Sequence, residues 1–300
     1  MLRRNIVNLY AHGSHVDLIV AEKDVVLTYV LKLLEQSASL NLVFKGGTCL
    51  RKCYFGRLTR FSEDLDFQAG KKKMLRDEFE RLFRDTVYYE ISFSFTDEDW
   101  YETDDSCGVT LHYSHSWNPG SRFKLQVSFR GNTLLPTPCL PVRKESYSRW
   151  MEFTLPLIRC MALDEIIAEK IRACYQRSTV RDLYDLYVFS KRPFSDALIR
   201  LLVVLKFWEV REMFYPERFL DAVSQGHYNW HDLQRLIRKD ALVKPEVITK
   251  NISDRFSFLK DLSDDETVLV NDAKRHTLAS VQKSLVQNVR ELHSKVRSVE

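Results

Sequence analysis

Between Asp17 and Ser37 the apolar residues Val20, Val26, Leu27, Val30, Leu31 and Leu34 recur every three or four positions, which predicts an amphipathic helix over 17–37. The pattern then changes. Residues 42–45 (LVFK) form a short extended stretch, Gly46 and Gly47 interrupt it, and a new helix is expected from Thr48, whose hydroxyl is placed to cap it. A loop leads to a second expected strand at 65–67, and helical spacing returns from Met74 to Phe83. Residues 89–95, 109–113 and 123–129 are rich in β-branched and aromatic side chains with partial alternation, and read as further strands. The three prolines of LLPTPCLP (134–141) should end the sheet, because proline cannot donate to a strand ladder. After one more apolar run at 153–158 the chain reads as helix over 163–176, 180–190, 195–207 and, with interruptions, 266–299, while 228–237 looks like a capped helix start. Two lobes follow: a mixed lobe over 1–150 and an all-α lobe over 151–300, an α+β protein.

Composition narrows the class without naming it. With 300 residues, 45% of them hydrophobic, the chain can bury one large core or two ordinary ones. The 45 basic and 41 acidic residues leave +4, an excess that permits a nucleic-acid partner without requiring one. Six cysteines, Cys49, Cys53, Cys107, Cys139, Cys160 and Cys174, are too dispersed for a disulfide scaffold, so free thiols are expected. Cys49 and Cys53 share a helix face, yet no second pair or histidine stands at zinc spacing, so no metal is expected there. No signal-length or membrane-spanning apolar run is present, and a cytoplasmic protein with no membrane partner is expected.

The chemistry concentrates between Lys45 and Phe67. Asp64 and Asp66 stand two apart, which in an extended strand places both carboxylates on one face and turns Leu65 to the other. Such a pair suits Mg²⁺, which takes one or two carboxylates, waters and substrate phosphate oxygens; the plain alternative is a solvated acidic turn. Upstream, Lys45, Gly46, Gly47 and Thr48 offer closely approachable backbone N–H groups and a hydroxyl for phosphates. The turn is neither a Walker A loop nor a GxGxxG turn. Lys45, Arg51, Lys52, Arg57 and Arg60 follow with no acid between them, a basic set beside the acids; for Arg51 and Lys52 the ordinary reading is a solvated helix face.

Together, a glycine pair opening a helix and an acid pair on a strand about twenty residues later resemble the DNA polymerase β-like nucleotidyltransferase superfamily. Within it, KGGTCLRKCYFGRLTRFSEDLDF is similar to the AbiEii/AbiGii toxin family, whose pattern GGTxLxK then RxSxDxDF falls on Gly46, Gly47, Thr48, Leu50 and Lys52, then on Arg60, Ser62, Asp64, Asp66 and Phe67. AEKDVVLTYVL (21–31) resembles the family's leading helix. LDEIIAEKIRACYQRSTVRDLYDLY (163–187) resembles its second block and contributes Glu165, Lys170, Arg181, Asp182 and Asp185. On sequence alone Lys170 lies on a helix whose apolar face is Leu163, Ile166, Ile167 and Ile171 and can project towards a triphosphate or stand in solvent, and Asp182 and Asp185 lie on adjacent turns where they can orient Lys170 or Arg181 by ion pairing or form a salt-bridge network between the lobes. The superfamily commonly has a third acid on a later strand, where this chain offers Gln126; an amide brings no charge and cannot take a proton.

The resemblance implies a polymerase β-like lobe, a helical lobe, and an active site in the cleft between them. It implies a type IV toxin–antitoxin or abortive-infection enzyme that moves a nucleotide from an NTP to a cellular acceptor, with a cognate antitoxin and with an RNA, a tRNA 3′ end, as acceptor. Asp64 and Asp66 then hold Mg²⁺ or Mn²⁺, Lys45, Gly46, Gly47, Thr48 and Ser62 hold phosphates, Lys170 and Asp182 serve catalysis, and Arg181 and Asp185 complete the nucleotide site. The basic residues from Lys45 to Arg60, with Lys71, Lys72, Lys73 and Arg76, are expected to hold the acceptor, and Tyr54, Phe55 and Phe61 to stack on a base or pack in the core. Two rivals stay open: a non-catalytic nucleotide- or RNA-binding module, and a transferase acting on a protein or small molecule.

Overall fold

The computed structural model describes residues 2–37, 39–70, 75–241 and 243–297. The chain forms two compact units, one of Met1–Arg130, Pro138–Cys160 and Gln234–Leu242, the other of Gly131–Thr137, Met161–Leu233 and Val243–Glu300. The division differs from a single break near residue 150, for local reasons. Residues 157–160 belong with the first unit because they pair with 139–141 and Cys160 bridges Phe44. Residues 134–135 belong with the second because the buried Glu165 carboxylate accepts both of their backbone N–H groups, at 2.9 and 3.1 Å. The segment 234–242 returns to the first unit, where the Leu236 carbonyl accepts the N–H of Phe61 at 2.7 Å.

The first unit contains α1 (Arg4–Gly13), α2 (Leu18–Glu35), β1 (Val43–Lys45), α3 (Gly46–Cys49), β2 (Leu65–Gln68), α4 (Leu75–Phe83), β3 (Thr86–Tyr88), β4 (Ile91–Ser94), β5 (Trp100–Glu102), β6 (Ser106–His115), β7 (Asn118–Ser128), β8 (Cys139–Pro141) and β9 (Leu157–Arg159). Seven strands form one mixed sheet in the order β1-β2-β7-β6-β4-β3, with β5 beside β6. Only β2 and β7 run parallel within it. Alternation is clean where it positions the site: Phe123, Leu125 and Val127 are buried while Arg122 and Lys124 are exposed, and Ile91 and Phe93 are buried while Ser92 and Ser94 are exposed.

Three expectations need correction here. The strand expected over 89–95 begins only at Ile91 and is the second arm of a hairpin, because Tyr89 and Glu90 take φ of 48° and 63° and form a tight two-residue turn between β3 and β4. The seven-stranded sheet does end before the proline-rich stretch, but that stretch is not without strand: Cys139–Pro141 pairs with Leu157–Arg159 in a separate two-stranded sheet, where Pro141 sits at the end of an edge strand. Thr48 does not cap a helix from outside, since α3 already starts at Gly46 and continues into a wider π-helical turn over Leu50–Phe55.

The second unit is helical: α5 (Leu163–Gln176), α6 (Val180–Ser190), α7 (Asp196–Glu209), α8 (Pro216–Gln225), α9 (His231–Gln234), α10 (Pro245–Arg255), α11 (Asp264–Asp272) and α12 (Ala279–Arg297). Ser195 caps α7 by accepting the N–H of Leu198. Ser263 and Glu266 form a capping box at α11. Among the described residues no helix is long and apolar enough to cross a membrane.

Candidate active site

β1 and β2 pair antiparallel with Lys45 opposite Asp66, so the turn that leaves β1 lands on the acid strand. Gly46 has φ of +76°, a left-handed conformation natural to glycine, and a Cβ there would run into the Asp66 carboxylate. A Cβ on Gly47 would come within 2.5 Å of the Arg60 guanidinium and 3.1 Å of the Ser62 hydroxyl. Gly46 is therefore required by conformation and close approach, Gly47 packs against Arg60 and Ser62, and the GG turn, Arg60, Ser62 and Asp66 form one cluster. Thr48 is buried beneath it and donates its hydroxyl to the Asp64 carbonyl. That hydroxyl braces the turn against the acid strand and is not directed at a ligand.

The acid pair is half-buried. Asp64 sits at the threshold of β2, where one oxygen accepts the Lys124 backbone N–H at 3.1 Å and the other has no protein hydrogen bond among the described residues. Asp66 lies opposite Gln126 of β7, as the strand alignment expects, and the Gln126 amide donates to the Tyr101 hydroxyl at 2.9 Å. Two same-face, half-buried carboxylates beside a glycine turn suit a divalent cation and a polyphosphate.

Much of the expected basic set points elsewhere. Arg51 and Lys52 are buried, not solvated: the Lys52 ammonium lies 2.8 Å from the Asp24 carboxylate and donates to the hydroxyls of Thr28 and Tyr147, and Arg51 pairs with Glu145 at 3.3 Å. Arg60 is also buried, over Gly47, and donates to the Phe61 carbonyl at 3.1 Å. Phe55 and Phe61 are core residues. Arg76 pairs with Glu80 and Asp97, and Lys71–Lys73 fall outside the described residues. The cations that do lie exposed beside the acids are Arg122 and Lys124 on β7, which the motif pattern did not single out.

Behind the turn, Cys49 and Cys53 acquire a third partner that sequence spacing did not reveal. The sulfurs of Cys49, Cys53 and Cys160 all lie within 4.8 Å of one another and are buried. Hydrogen bonds from Cys160 and Cys49 pull the Cys53 thiol down to about 5, whereas burial pushes Cys49 well up. No fourth ligand joins them among the described residues.

In the second unit, the second motif block forms a buried ion cluster. The Lys170 ammonium on α5 lies 2.7 Å from Asp182 and 2.9 Å from Asp185, both on the face of α6 that packs against α5, and Arg177 reaches Asp182 at 3.1 Å. Arg181, beside Asp182, is half-buried. Glu165 has a different task, accepting the backbone of Leu134 and Leu135 and pairing with buried Lys206 at 2.7 Å.

A mixed sheet that packs a double-glycine turn onto an acid pair is the arrangement expected from the resemblance to nucleotidyltransferases. Comparison with known proteins gives the family: residues 31–279 match the model of the AbiEii nucleotidyl transferase toxin of type IV toxin–antitoxin systems, and the chain belongs to that family. Among solved structures it is similar to MenT4, a nucleotidyltransferase toxin from Mycobacterium tuberculosis H37Rv, with a TM-score of 0.82 and 28% identity over 97% of this chain and 100% of that one. It also shares its fold with JHP933 from Helicobacter pylori, at a TM-score of 0.51 and 21% identity over 85% of this chain and 97% of that one. No curated protein matches it. The enzymatic reading therefore stands over the non-catalytic one: the chain is an NTP-using nucleotidyltransferase.

Proposed function

We propose that this toxin transfers a nucleoside monophosphate from an NTP to an RNA, a tRNA 3′ end, with a divalent cation, Mg²⁺ or Mn²⁺, held by Asp64 and Asp66. The observation that carries the reading is the close packing of Asp66 against Gly46, where a Cβ would run into the carboxylate, and it supports a phosphate cradle and a cation site side by side. The bound cation neutralises charge on the triphosphate. Lys45, Gly46, Gly47 and Ser62 hold phosphate oxygens, and Thr48 acts indirectly by bracing the turn. The acceptor hydroxyl oxygen bonds to the α-phosphorus, the bond from that phosphorus to the bridging oxygen breaks, and pyrophosphate leaves. The hydroxyl proton goes to solvent, since the Gln126 amide beside the pair cannot take it. Membership of a type IV toxin–antitoxin family also implies an antitoxin partner.

The deciding experiment incubates the protein with each α-labelled NTP, Mg²⁺ or Mn²⁺, and total RNA, protein or small-molecule fractions of a lysate. Label in tRNA supports the reading. Label only in protein or small molecules, with purified tRNA unmodified under every NTP, overturns the acceptor.

Two variants probe the remaining roles. Gln126→Asp adds a third carboxylate opposite Asp66 and is expected to raise apparent affinity for the divalent cation several-fold in a titration of the transfer rate. An unchanged titration removes Gln126 from the cation's surroundings. We assign Lys170, oriented by Asp182 and Asp185 with Arg181 alongside, to stabilising phosphate charge. Lys170→Ala should then lose roughly tenfold to a thousandfold in transfer rate. Lys170→Arg should not rescue it, because a planar guanidinium places its charge differently from an ammonium. Wild-type turnover in Lys170→Ala would make the ion cluster purely structural.

A further inference from the structure

The strand register lays out a continuous polar face beyond the acid pair. Straight across four strands, Asp66 of β2 pairs with Gln126 of β7, Gln126 with Gly108 of β6, and Gly108 with Tyr101 of β5. Two residues along, the backbone of Lys124 holds Asp64, and Lys124 pairs with Thr110. Two further along, Arg122 pairs with His112, and His112 with Ser94 of β4. Pleating puts all of these side chains on the face that carries the acids, while Phe123, Leu125, Val127, Leu111 and Phe93 fill the other.

Three features of this face point to a ligand. Arg122 and Lys124 are exposed and form no ion pair among the described residues, in a protein where most other cations near the site are paired or buried. Gly108 leaves room for the Tyr101 ring to lie over the sheet: a Cβ there would come within 2.6 Å of that ring, whose hydroxyl accepts from Gln126. Tyr101 is 38% exposed, and its ring offers a stacking platform in the row of Asp66. At the far end, a groove of about 500 Å³ is lined by Ser92, Ser94, His112, Ser114, Ser121 and Arg122, rich in hydroxyl donors.

We propose that this face is the acceptor surface: a single-stranded RNA 3′ end stacks its terminal base on Tyr101, and its next phosphates run over Lys124 and Arg122 into the serine-lined groove. Two strand residues span about 6.6 Å, on the scale of the step between successive phosphates of an extended strand. Cations beside stacking aromatics are the arrangement that binds single strands. The inference rests on the proposed transfer to RNA and names where that RNA lies.

The test measures RNA binding separately from transfer. Fluorescence anisotropy with a labelled tRNA and with a single-stranded oligoribonucleotide of its 3′-terminal sequence is recorded over a range of salt. Acceptor KM, NTP KM and kcat are measured in parallel. Arg122→Glu/Lys124→Glu should raise the RNA Kd and acceptor KM at least tenfold and leave NTP KM unchanged. It should also reduce the magnitude of the salt slope by about 1.4, two phosphate contacts at about 0.7 each. Tyr101→Ala should weaken binding of both RNAs, and Tyr101→Phe, which keeps the ring, should restore it. Kd and acceptor KM within twofold of wild type in the charge-reversed protein, or a wild type that binds neither RNA, overturns the proposal. RNA bound through these residues but never labelled overturns the assignment of RNA as acceptor and leaves the surface standing as a nucleic-acid site.

Discussion

Replacing Asp64 or Asp66 by asparagine is expected to cut nucleotidyl transfer by a factor on the order of 10³ while moving the melting temperature by no more than about 3 °C. The two halves of this expectation have separate causes. Asparagine keeps the size and one carbonyl oxygen of aspartate, so the hydrogen bond that Asp64 accepts from Lys124 can persist. Both side chains are half-exposed, and with no cation between them two like charges on one strand face repel, so removing one relieves the protein. On the proposed role of the pair, the same removal takes away half the charge that would hold the cation, and with it stabilisation of the departing pyrophosphate. Thermal unfolding and the labelling assay should therefore diverge. A variant with full transfer would take that residue out of the site, and a collapse of the melting temperature would make the pair structural.

How much of this was legible depended on how far apart in sequence the interacting groups lie. Asp64 and Asp66 could be read from strand periodicity, and Gln126 could be set beside Asp66 because both strands carry recognisable alternation. Lys170 found Asp182 and Asp185 on the very next helix, a distance that helical spacing covers. The errors arise where a partner comes from a remote segment. Arg51 and Lys52 look like a solvated helix face until Asp24 from α2 and Glu145 from the loop after β8 neutralise them in the core. Cys160 lies more than a hundred residues from Cys53 and joins it only because Cys160 bridges β1. The hairpin turn at Tyr89 and Glu90 has neither glycine nor asparagine to announce it, so tertiary pairing of β3 with β4 fixes a conformation that local propensity does not. The proposed acceptor face is illegible in the sequence for a different reason. Arg122 and Lys124 carry no motif, and their meaning appears only once the register sets them beside the acids.

The largest stability effect is expected at Lys52, a residue of the GGTxLxK motif that belongs to the fold more than to the phosphates. It is 3% exposed, and its ammonium meets Asp24, Thr28 and Tyr147 between α2 and the turn that carries the glycines. Burial pushes the Asp24 carboxyl up, but the charges of Lys52 and Arg51 outweigh it and hold that carboxyl below its usual value of 3.8. Burial likewise lowers Lys52, and Asp24 more than offsets it, so the ammonium stays charged above its usual 10.5. The signs define the window. The contribution of Asp24 is present above 3.8 and fades as pH falls through its depressed folded value, and that of Lys52 is present below 10.5 and fades as pH rises through its elevated one. At neutral pH the pair is fully formed, and Lys52→Met leaves a buried carboxylate without its nearest cation, at a cost of about 3–5 kcal/mol. The double variant Asp24→Asn/Lys52→Met should recover a good part of that, because the stranded charge is gone and two neutral groups replace a buried ion pair. Urea unfolding of all three proteins at neutral pH measures the cycle. If Lys52→Met unfolds within about 1 kcal/mol of wild type, the ion pair is not what anchors the turn. If it folds normally yet loses transfer below its unfolding transition, Lys52 acts on the nucleotide and not through Asp24.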